Sequence, residues 1–287
     1  MRRFEYLEPA SLDEAVGALG RYGGSASVLA GGTDLLVELR EHLRRADCVV
    51  DIKKIPGMAG LAYDARTGLA FGALVTAREI ETFPAAQQHY PSLVQAVREL
   101  GSIQVRNRAT VVGNLCRASP SADTSPPLIA DGATVTIYGP GGERVVPLER
   151  FFTGPGATVL ERSELVTRIV VPPPPSHTGK CYLKHGRRKA MELATVGVAV
   201  TLTLERERCR EIRIVLGAVA PTPIRAPAAE AALRGGALDD ARIEAAAQAA
   251  MSECRPISNV RASAGYRREM VGVLTKRAIR QAAEAAR

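Results

Sequence analysis

The chain has 287 residues, of which 46% are hydrophobic and 24% are charged. This composition is typical of a folded globular protein and argues against a disordered or fibrous chain. Lys and Arg exceed Asp and Glu by 38 to 30, which gives a formal net charge of +8. Because the basic residues are dispersed and aromatic residues make up only 4% of the chain, the composition argues against nucleic-acid binding.

The cysteines and histidines do not have the spacing of a disulfide framework or of a metal site. The cysteine count of five is odd, no two cysteines form a CxxC pair, and the four histidines are scattered. The N-terminus lacks the apolar core of a secretory signal, and no apolar run is long enough to cross a bilayer. We therefore expect a cytoplasmic protein without a membrane span, and no metal held by this chain alone.

Residues 1–57 predict a small α/β unit. Ser11 and Glu14 have the spacing of a capping box, which opens a helix that Gly20 ends. Residues 27–30 form a short apolar run that stops at a pair of glycines, and residues 48–52 form a second run. The pair of glycines therefore lies at the end of a predicted strand.

The next segment predicts a hairpin followed by helices. Residues 61–73 have the pattern of a hairpin. Thr76 and Glu79 form a second capping box, which opens a helical stretch that Pro84 and Pro91 interrupt.

Residues 107–127 are rich in Gly, Ser, Asn and Pro and are too polar for a core element. We therefore predict a long irregular loop, and such loops are often functional. A hairpin of residues 133–138 and 143–146 follows, and then a strand at residues 165–171.

Four consecutive prolines at 172–175 predict a stiff connector and a domain boundary. Beyond them, residues 195–205 and 211–220 predict two strands joined by a charged turn at 206–210. The predicted helices of this part are residues 226–233, 241–254 and 262–286. The order of strands and then helices indicates an α+β domain, and the chain as a whole predicts three units, 1–57, 58–175 and 176–287.

Gly31 and Gly32 directly follow a predicted strand, in the run Ala30–Leu36. Two glycines let the backbone turn and present successive N–H groups to an anion, and Thr33 adds a hydroxyl donor. The run is neither a P-loop nor a GxGxxG fingerprint. A purely structural glycine turn is the alternative.

The predicted loop at 107–127 carries a second set of polar groups. Thr110, Gly113 and Asn114 are followed by serines and by Asp123, so the loop has the groups to wrap a diphosphate and accept hydrogen bonds from sugar hydroxyls. The alternative is a surface loop in which Asp123 caps a following helix.

Lys184 begins a basic run that ends at Arg188, beyond the proline connector. A lysine at a domain junction can lie against a polarised ring carbonyl. The alternative is a solvated basic turn, the usual environment of such a run.

Three stretches occur in a fixed order along the chain: AGGTDLL, TVVGN…SPSAD and KHGRRKAMELATVG. In these motifs the chain resembles the FAD-binding subunits of molybdenum hydroxylases, and the resemblance covers nearly its whole length. FTGPG, APTPIRA and RASAGYRREM resemble most the separate-subunit bacterial xanthine dehydrogenases. The resemblance implies an α+β protein with a vanillyl-alcohol-oxidase (PCMH) type FAD-binding fold: two α/β subdomains that hold FAD between them, and a C-terminal α+β domain. Val112 stands where the family commonly has glycine, and Glu192 where it often has aspartate.

The resemblance also implies which residues bind FAD. The first loop would present backbone N–H groups to the pyrophosphate, the second loop would hold the phosphates, and Asp123 would bind the flavin chain or the ring edge. Leu100 and Val166 would lie near the ring, and Lys184 would reach a ring carbonyl. No side chain is implied as a nucleophile or an indispensable base. The implied FAD-binding set is Val28, Leu29, Ala30, Gly31, Gly32, Thr33, Asp34, Leu35, Leu100, Thr110, Gly113, Asn114, Asp123, Val166 and Lys184.

The implied function is electron transfer within a multi-subunit enzyme. A large partner with a molybdopterin-type molybdenum cofactor would hydroxylate the substrate, with a purine the first expectation. A small partner would carry two [2Fe–2S] clusters, and FAD on this chain would pass the electrons to NAD+ or another acceptor. Family members assemble as dimers of such heterotrimers. Two alternatives remain: a free-standing FAD oxidoreductase with its own substrate site, and a basic binding protein without a cofactor.

Overall fold

The first sheet is parallel and lies near the N-terminus of the computed structural model, which describes residues 2–287. Its strands have the order β1–β3–β2. The elements of this part are β1 (Glu5–Leu7), α1 (Leu12–Tyr22), β2 (Ala26–Leu29), α2 (Leu35–Arg40) and β3 (Cys48–Asp51). Ser11 caps α1 by accepting a hydrogen bond from the Glu14 N–H, but the Glu14 carboxylate accepts from Ala10 and not from Ser11. The predicted capping box is therefore only half formed.

The second sheet is antiparallel, with the strand order β4–β5–β10–β6–β7. Its strands are β4 (Leu61–Asp64), β5 (Gly68–Gly72), β6 (Thr134–Gly139), β7 (Gly142–Pro147) and β10 (Leu165–Val171), and a two-stranded sheet of β8 (Phe152–Gly154) and β9 (Ala157–Thr158) lies beside it. The helices are α3 (Ala77–Thr82), α4 (Pro84–His89), α5 (Pro91–Arg98), α6 (Ile103–Arg106), α7 (Val111–Arg117) and α8 (Ser125–Ala130). Both predicted hairpins and the capping box at Thr76 are confirmed.

The prediction of an irregular loop at 107–127 is wrong, because α7 and α8 lie within it. The Thr110 hydroxyl caps α7 by accepting from the Gly113 N–H at 3.0 Å. Two adjacent valines at the start of α7 are buried in the core. A seven-residue helix is too short to show a clear apolar period, so its polar composition dominates the sequence pattern. The backbone at Val112 is helical, and it therefore does not need the positive φ that a glycine would allow.

The third sheet is antiparallel and follows the proline connector. Its elements are β11 (Thr178–His185), β12 (Val196–Glu205), β13 (Arg208–Gly217), β14 (Ile224–Arg225), α9 (Pro227–Leu233), α10 (Asp240–Glu253) and α11 (Ala264–Ala286). The predicted turn at 206–210 is shorter than expected: only Arg206 and Glu207 connect β12 to β13, and both have positive φ. The sequence analysis did not predict β11, because its polar residues obscure the alternation of polar and apolar residues that is typical of a strand.

Two large hydrophobic cores hold the elements together, and a third, small one lies beside the first sheet. One large core is shared by the first and second sheets, and the other lies between the third sheet and α9–α11. Alternate residues of β11 face the second part of the chain, where Lys180 Nζ lies 2.9 Å from Asp131 Oδ1 and Gln95 Oε1 accepts from the Tyr182 N–H. No helix within residues 2–287 is long and apolar enough to span a membrane. The domain limits at 57 and 175 stay predictions.

Candidate functional site

A cavity of about 640 Å³ lies where the three parts of the chain meet. It is lined by the segment between β2 and α2 (residues 30–34, the glycine loop) and by α2, by residues at both ends of α7, and by residues 191–193 beyond β11. Its volume is in the range of sites for cofactors and drug-sized ligands. The predicted residues that line it are Val28, Ala30, Gly31, Gly32, Thr33, Asp34, Leu35, Leu100, Thr110, Gly113, Asn114, Asp123 and Val166. Leu29 and Lys184 do not line it: Leu29 packs in a small core with Leu39 and Val49.

The glycine loop lies in direct contact with the segment that precedes α7. A Cβ atom on Gly31 would lie 2.0 Å from the carbonyl oxygen of Arg108, and Gly32 has a φ of +75°. Both positions therefore require glycine, for different reasons: close backbone approach at the first and a left-handed conformation at the second. The N–H groups of Gly31 through Asp34 have no hydrogen-bond acceptor among residues 2–287.

The second loop presents side-chain and backbone donors from the first turn of α7. The Asn114 Oδ1 atom accepts a hydrogen bond of 2.6 Å from the Thr124 hydroxyl, which fixes the amide and leaves its NH2 group without an acceptor in the described part of the chain. A Cβ on Gly113 would lie 2.7 Å from the Thr110 hydroxyl oxygen. Glycine at 113 therefore protects the capping contact that starts the helix.

Asp123 is a buried carboxylate in the cavity wall. Its Oδ1 accepts from the Tyr182 hydroxyl at 2.8 Å, and its Oδ2 accepts from Lys184 Nζ at 2.9 Å. Burial raises the pKa of Asp123 to about 6, although Lys184 and Tyr182 oppose this change. The alternative role as a helix cap is wrong, since α8 has Thr124 at its N-cap and no side-chain capping bond.

Lys184 is buried at the end of β11, so the solvated turn proposed as its alternative is wrong for this residue. Its ammonium group donates to the backbone oxygens of Glu99 and Glu192 at 3.0 and 2.8 Å, in addition to Asp123. An ammonium has three donors, and all three are used. Its placement at a flavin carbonyl stays a prediction, whereas Arg187 and Arg188 are exposed.

Sequence reasoning missed an ion-pair cluster in the cavity wall. Glu38 on α2 lies 2.9 Å from Arg44 and 2.7 Å from Arg117 at the end of α7. All three residues line the cavity, and the pair with Arg117 joins the first and second parts of the chain. No local motif marks these residues. The only sequence signal was position: Arg117 lies within the predicted loop at 107–127, and Glu38 follows the run Ala30–Leu36 by two residues.

Two protein families together match almost the whole chain. The family described as "FAD binding domain in molybdopterin dehydrogenase" matches residues 2–174, and "CO dehydrogenase flavoprotein C-terminal domain" matches residues 181–282. This chain is an FAD-binding medium subunit of the molybdenum hydroxylases. The family and the fold expected from the sequence motifs are thereby confirmed.

Similar proteins include members of both the xanthine and the carbon monoxide dehydrogenases. The putative xanthine dehydrogenase FAD-binding subunit of Escherichia coli (strain K12) is 34% identical over 98% of this chain and 96% of its own length. The carbon monoxide dehydrogenase medium chain of Hydrogenophaga pseudoflava is 35% identical over 98% of this chain and 97% of its own length. Overall identity therefore does not separate these two branches of the family.

Solved structures match the whole fold. Carbon monoxide dehydrogenase from Hydrogenophaga pseudoflava superposes with a TM-score of 0.95 at 37% identity and covers 99% of this chain and 98% of its own. Quinoline 2-oxidoreductase from Pseudomonas putida 86 superposes with a TM-score of 0.92 at 31% identity, with the same coverage. The subunit is thus part of an FAD-dependent oxidoreductase family.

The donors in the cavity fit FAD. A diphosphate needs several hydrogen-bond donors, and the free N–H groups of the glycine loop with the Asn114 amide supply them without a buried lysine. Leu100 and Val166 add apolar walls suited to a ring. Among residues 2–287, no group of three His, Cys, Asp or Glu side chains is placed to hold a metal ion.

Proposed function

We propose that this chain is the electron-transfer subunit of a molybdenum hydroxylase, with FAD held in the cavity between the glycine loop and α7. When bound, FAD would take electrons from the [2Fe–2S] clusters of a partner subunit and pass them to NAD+ or another acceptor. The observation that carries the proposal is the run of unpartnered N–H groups at residues 31–34 in the wall of this cavity.

The residues of this chain would bind and orient the cofactor and would not do chemistry themselves. The N–H groups of the glycine loop and the polar groups of Thr110 and Asn114 would hold the phosphates. Asp123 would accept a hydrogen bond from the polar part of the flavin, and Leu100 and Val166 would flank the ring. The Glu38–Arg117 ion pair would keep the two loops at a fixed separation.

The partners would be a large subunit with the molybdenum cofactor and a small subunit with two [2Fe–2S] clusters, in a dimer of heterotrimers. The relatives support this arrangement by their names, which describe FAD-binding subunits and medium chains of dehydrogenases. We propose that the complex works in the cytoplasm and that the chain has three domains, 1–57, 58–175 and 176–287.

Spectroscopy of the purified chain tests the proposal first. We expect flavin absorption bands and release of FAD by acid, either from the chain as purified or after reconstitution with FAD. Anaerobic reduction of the complete complex, followed by mixing with NAD+, then tests the acceptor. Failure of the full chain and of the complex to bind added FAD would overturn the assignment of the cavity.

A second outcome would favour the alternative function. If the isolated chain oxidised small alcohols or amines with multiple turnovers, a free-standing flavoenzyme would be the better interpretation. We expect no such turnover.

A further inference from the structure

The corner between α5 and α6 forms one wall of the proposed FAD cavity. Leu100 and Gly101 lie in this corner, and both line the cavity. Gly101 has a φ of +56°, and a Cβ there would lie 3.0 Å from the Val105 side chain. The corner is thus a tight, left-handed turn, and the position of Leu100 depends on what holds this turn.

Two side chains hold the corner: Lys184 donates to the carbonyl oxygen of Glu99, and Arg106 contacts Leu100 itself from outside the cavity. The guanidinium of Arg106 donates through Nη1 to the carbonyl oxygens of Arg98 and Leu100, at 3.1 and 3.3 Å. Its Nε donates to Glu81 Oε2 at 2.9 Å. Arg106 itself does not line the cavity, so any effect on the cofactor would act through the corner.

Glu81 on α3 orients the guanidinium from the other side. Its carboxylate is buried and also lies 3.1 Å from Arg78 and 3.8 Å from Arg98. Burial alone would raise the pKa of Glu81, but the hydrogen bonds from Arg78 and Arg106 outweigh it and hold the pKa below its usual value. The carboxylate is therefore ionised at neutral pH and fixes the plane of Arg106.

We propose that Arg106 is a positioning residue for the flavin, which sets the place of Leu100 through its hydrogen bonds to the corner carbonyls. This inference rests on the proposed function, because it assumes that FAD occupies the cavity. Arg106 contacts the carboxylate through Nε and the corner carbonyls through Nη1, two nitrogens held apart in one plane, and the point-like ammonium of a lysine at this position does not reproduce that separation. The two sets of contacts can therefore be separated by mutation.

Two variants make this separation in the full-length chain. Arg106→Lys preserves a positive charge for Glu81 but loses the corner contacts, and we expect FAD to dissociate about tenfold more readily, with an altered flavin absorption spectrum. Each lost hydrogen bond weakens an equilibrium by about two- to tenfold. Glu81→Gln removes the negative charge but keeps a side-chain oxygen that accepts from Arg106 Nε and so orients the guanidinium; we expect a lower urea midpoint with FAD affinity within about twofold of the original.

A matched control and a rescue complete the test. Arg98 is an exposed arginine near the Glu81 carboxylate, and its side chain does not contact the corner. We therefore expect Arg98→Lys to leave the FAD affinity and the flavin spectrum unchanged. Added guanidinium is expected to restore FAD affinity in Arg106→Ala, as measured by flavin fluorescence.

Separate results would overturn the two proposals. If the unmodified chain binds FAD and Arg106→Lys binds it equally well with the same spectrum, the positioning role is wrong and the proposed function stands. If FAD affinity falls in parallel with stability in all the variants, Arg106 supports only the fold. If the unmodified chain and its complex bind no FAD, the proposed function and this inference both fail.

Discussion

Lys184 Nζ lies 2.9 Å from Oδ2 of Asp123, although the two residues are 61 positions apart and belong to different parts of the chain. Asp123 lies in the wall of the cavity that we propose for FAD, and Lys184 lies on β11 of the C-terminal sheet. Tyr182 is two residues earlier on the same strand, so its side chain leaves the same face, and it donates to the other carboxylate oxygen. The C-terminal sheet therefore fixes both oxygens of a carboxylate in the wall of this cavity.

Replacement of Lys184 by methionine tests this contact. We expect Lys184→Met to lose about 3–5 kcal/mol of unfolding free energy, because it leaves the Asp123 charge buried without its partner. FAD is expected to remain bound, since Lys184 does not line the cavity, while the potential of the flavin shifts with the loss of a nearby charge. Urea unfolding, flavin content and a redox titration measure these effects.

The matched control for Lys184 is the double variant Lys184→Met/Asp123→Asn. It removes both charges, so part of the lost stability is expected to return. Complete loss of flavin from a folded Lys184→Met protein would contradict the assignment of a supporting role.

The raised pKa of Asp123 predicts a pH dependence of stability. The carboxyl titrates near pH 6 in the folded protein and near 3.9 when unfolded, so the folded state binds the proton more tightly. This group therefore adds stability below about pH 4 that is lost as the pH rises to about 6, by about 2–3 kcal/mol. Unfolding of the original protein and of Asp123→Asn between pH 4 and 7 isolates the effect. Parallel profiles for the two proteins would show that Asp123 does not titrate in this range.

Gly31→Ala tests the glycine loop. The added Cβ would meet the Arg108 carbonyl oxygen at 2.0 Å, so the loop must move away from the segment before α7, and we expect loss of FAD from a protein that still folds. Gly17→Ala is the matched control, because Gly17 lies in α1 with no atom near its Cβ position. Circular dichroism and flavin content measure fold and binding. Normal flavin content in Gly31→Ala would argue against a role of this loop in binding.

Lys180→Met tests the second buried ion pair between the C-terminal sheet and the rest of the chain. Lys180 and Asp131 are almost fully buried, and the ammonium also lies 4.2 Å from the centre of the Tyr90 ring. We expect a loss of about 3–5 kcal/mol, since the Asp131 charge stays buried. Lys276→Met removes a partly exposed partner of Glu244 and is expected to leave the unfolding free energy nearly unchanged, because solvent screens this pair. Thermal and urea unfolding compare the two, and equal small effects would contradict the buried-pair argument.

Part of the fold could be predicted from local pattern. The helix that follows Ser11 and the hairpins of the second sheet have strong periodicity or turn signals within a short window, and the long C-terminal helices are rich in alanine, the residue with the highest helix propensity. Helix α7 could not be predicted from local pattern, because its seven residues include polar groups that line the cavity. Strand β11 could not be predicted either, because polar residues such as Lys180 and Lys184 face another part of the protein and not water.

The sequence by itself identified the family, its FAD cofactor and the two stretches, 30–36 and 107–127, whose residues line the cavity, because ordered motifs and glycines with special backbone needs are local features. That the second stretch is largely helical was decided by the tertiary structure. Only the tertiary structure decided that Lys184 pairs with Asp123, that Arg117 pairs with Glu38, and that Arg106 holds the turn at Leu100. Each of these contacts depends on side-chain atoms brought within about 3 Å. Such distances are set by how separate helices and sheets pack, and no pattern within a short stretch of sequence encodes them.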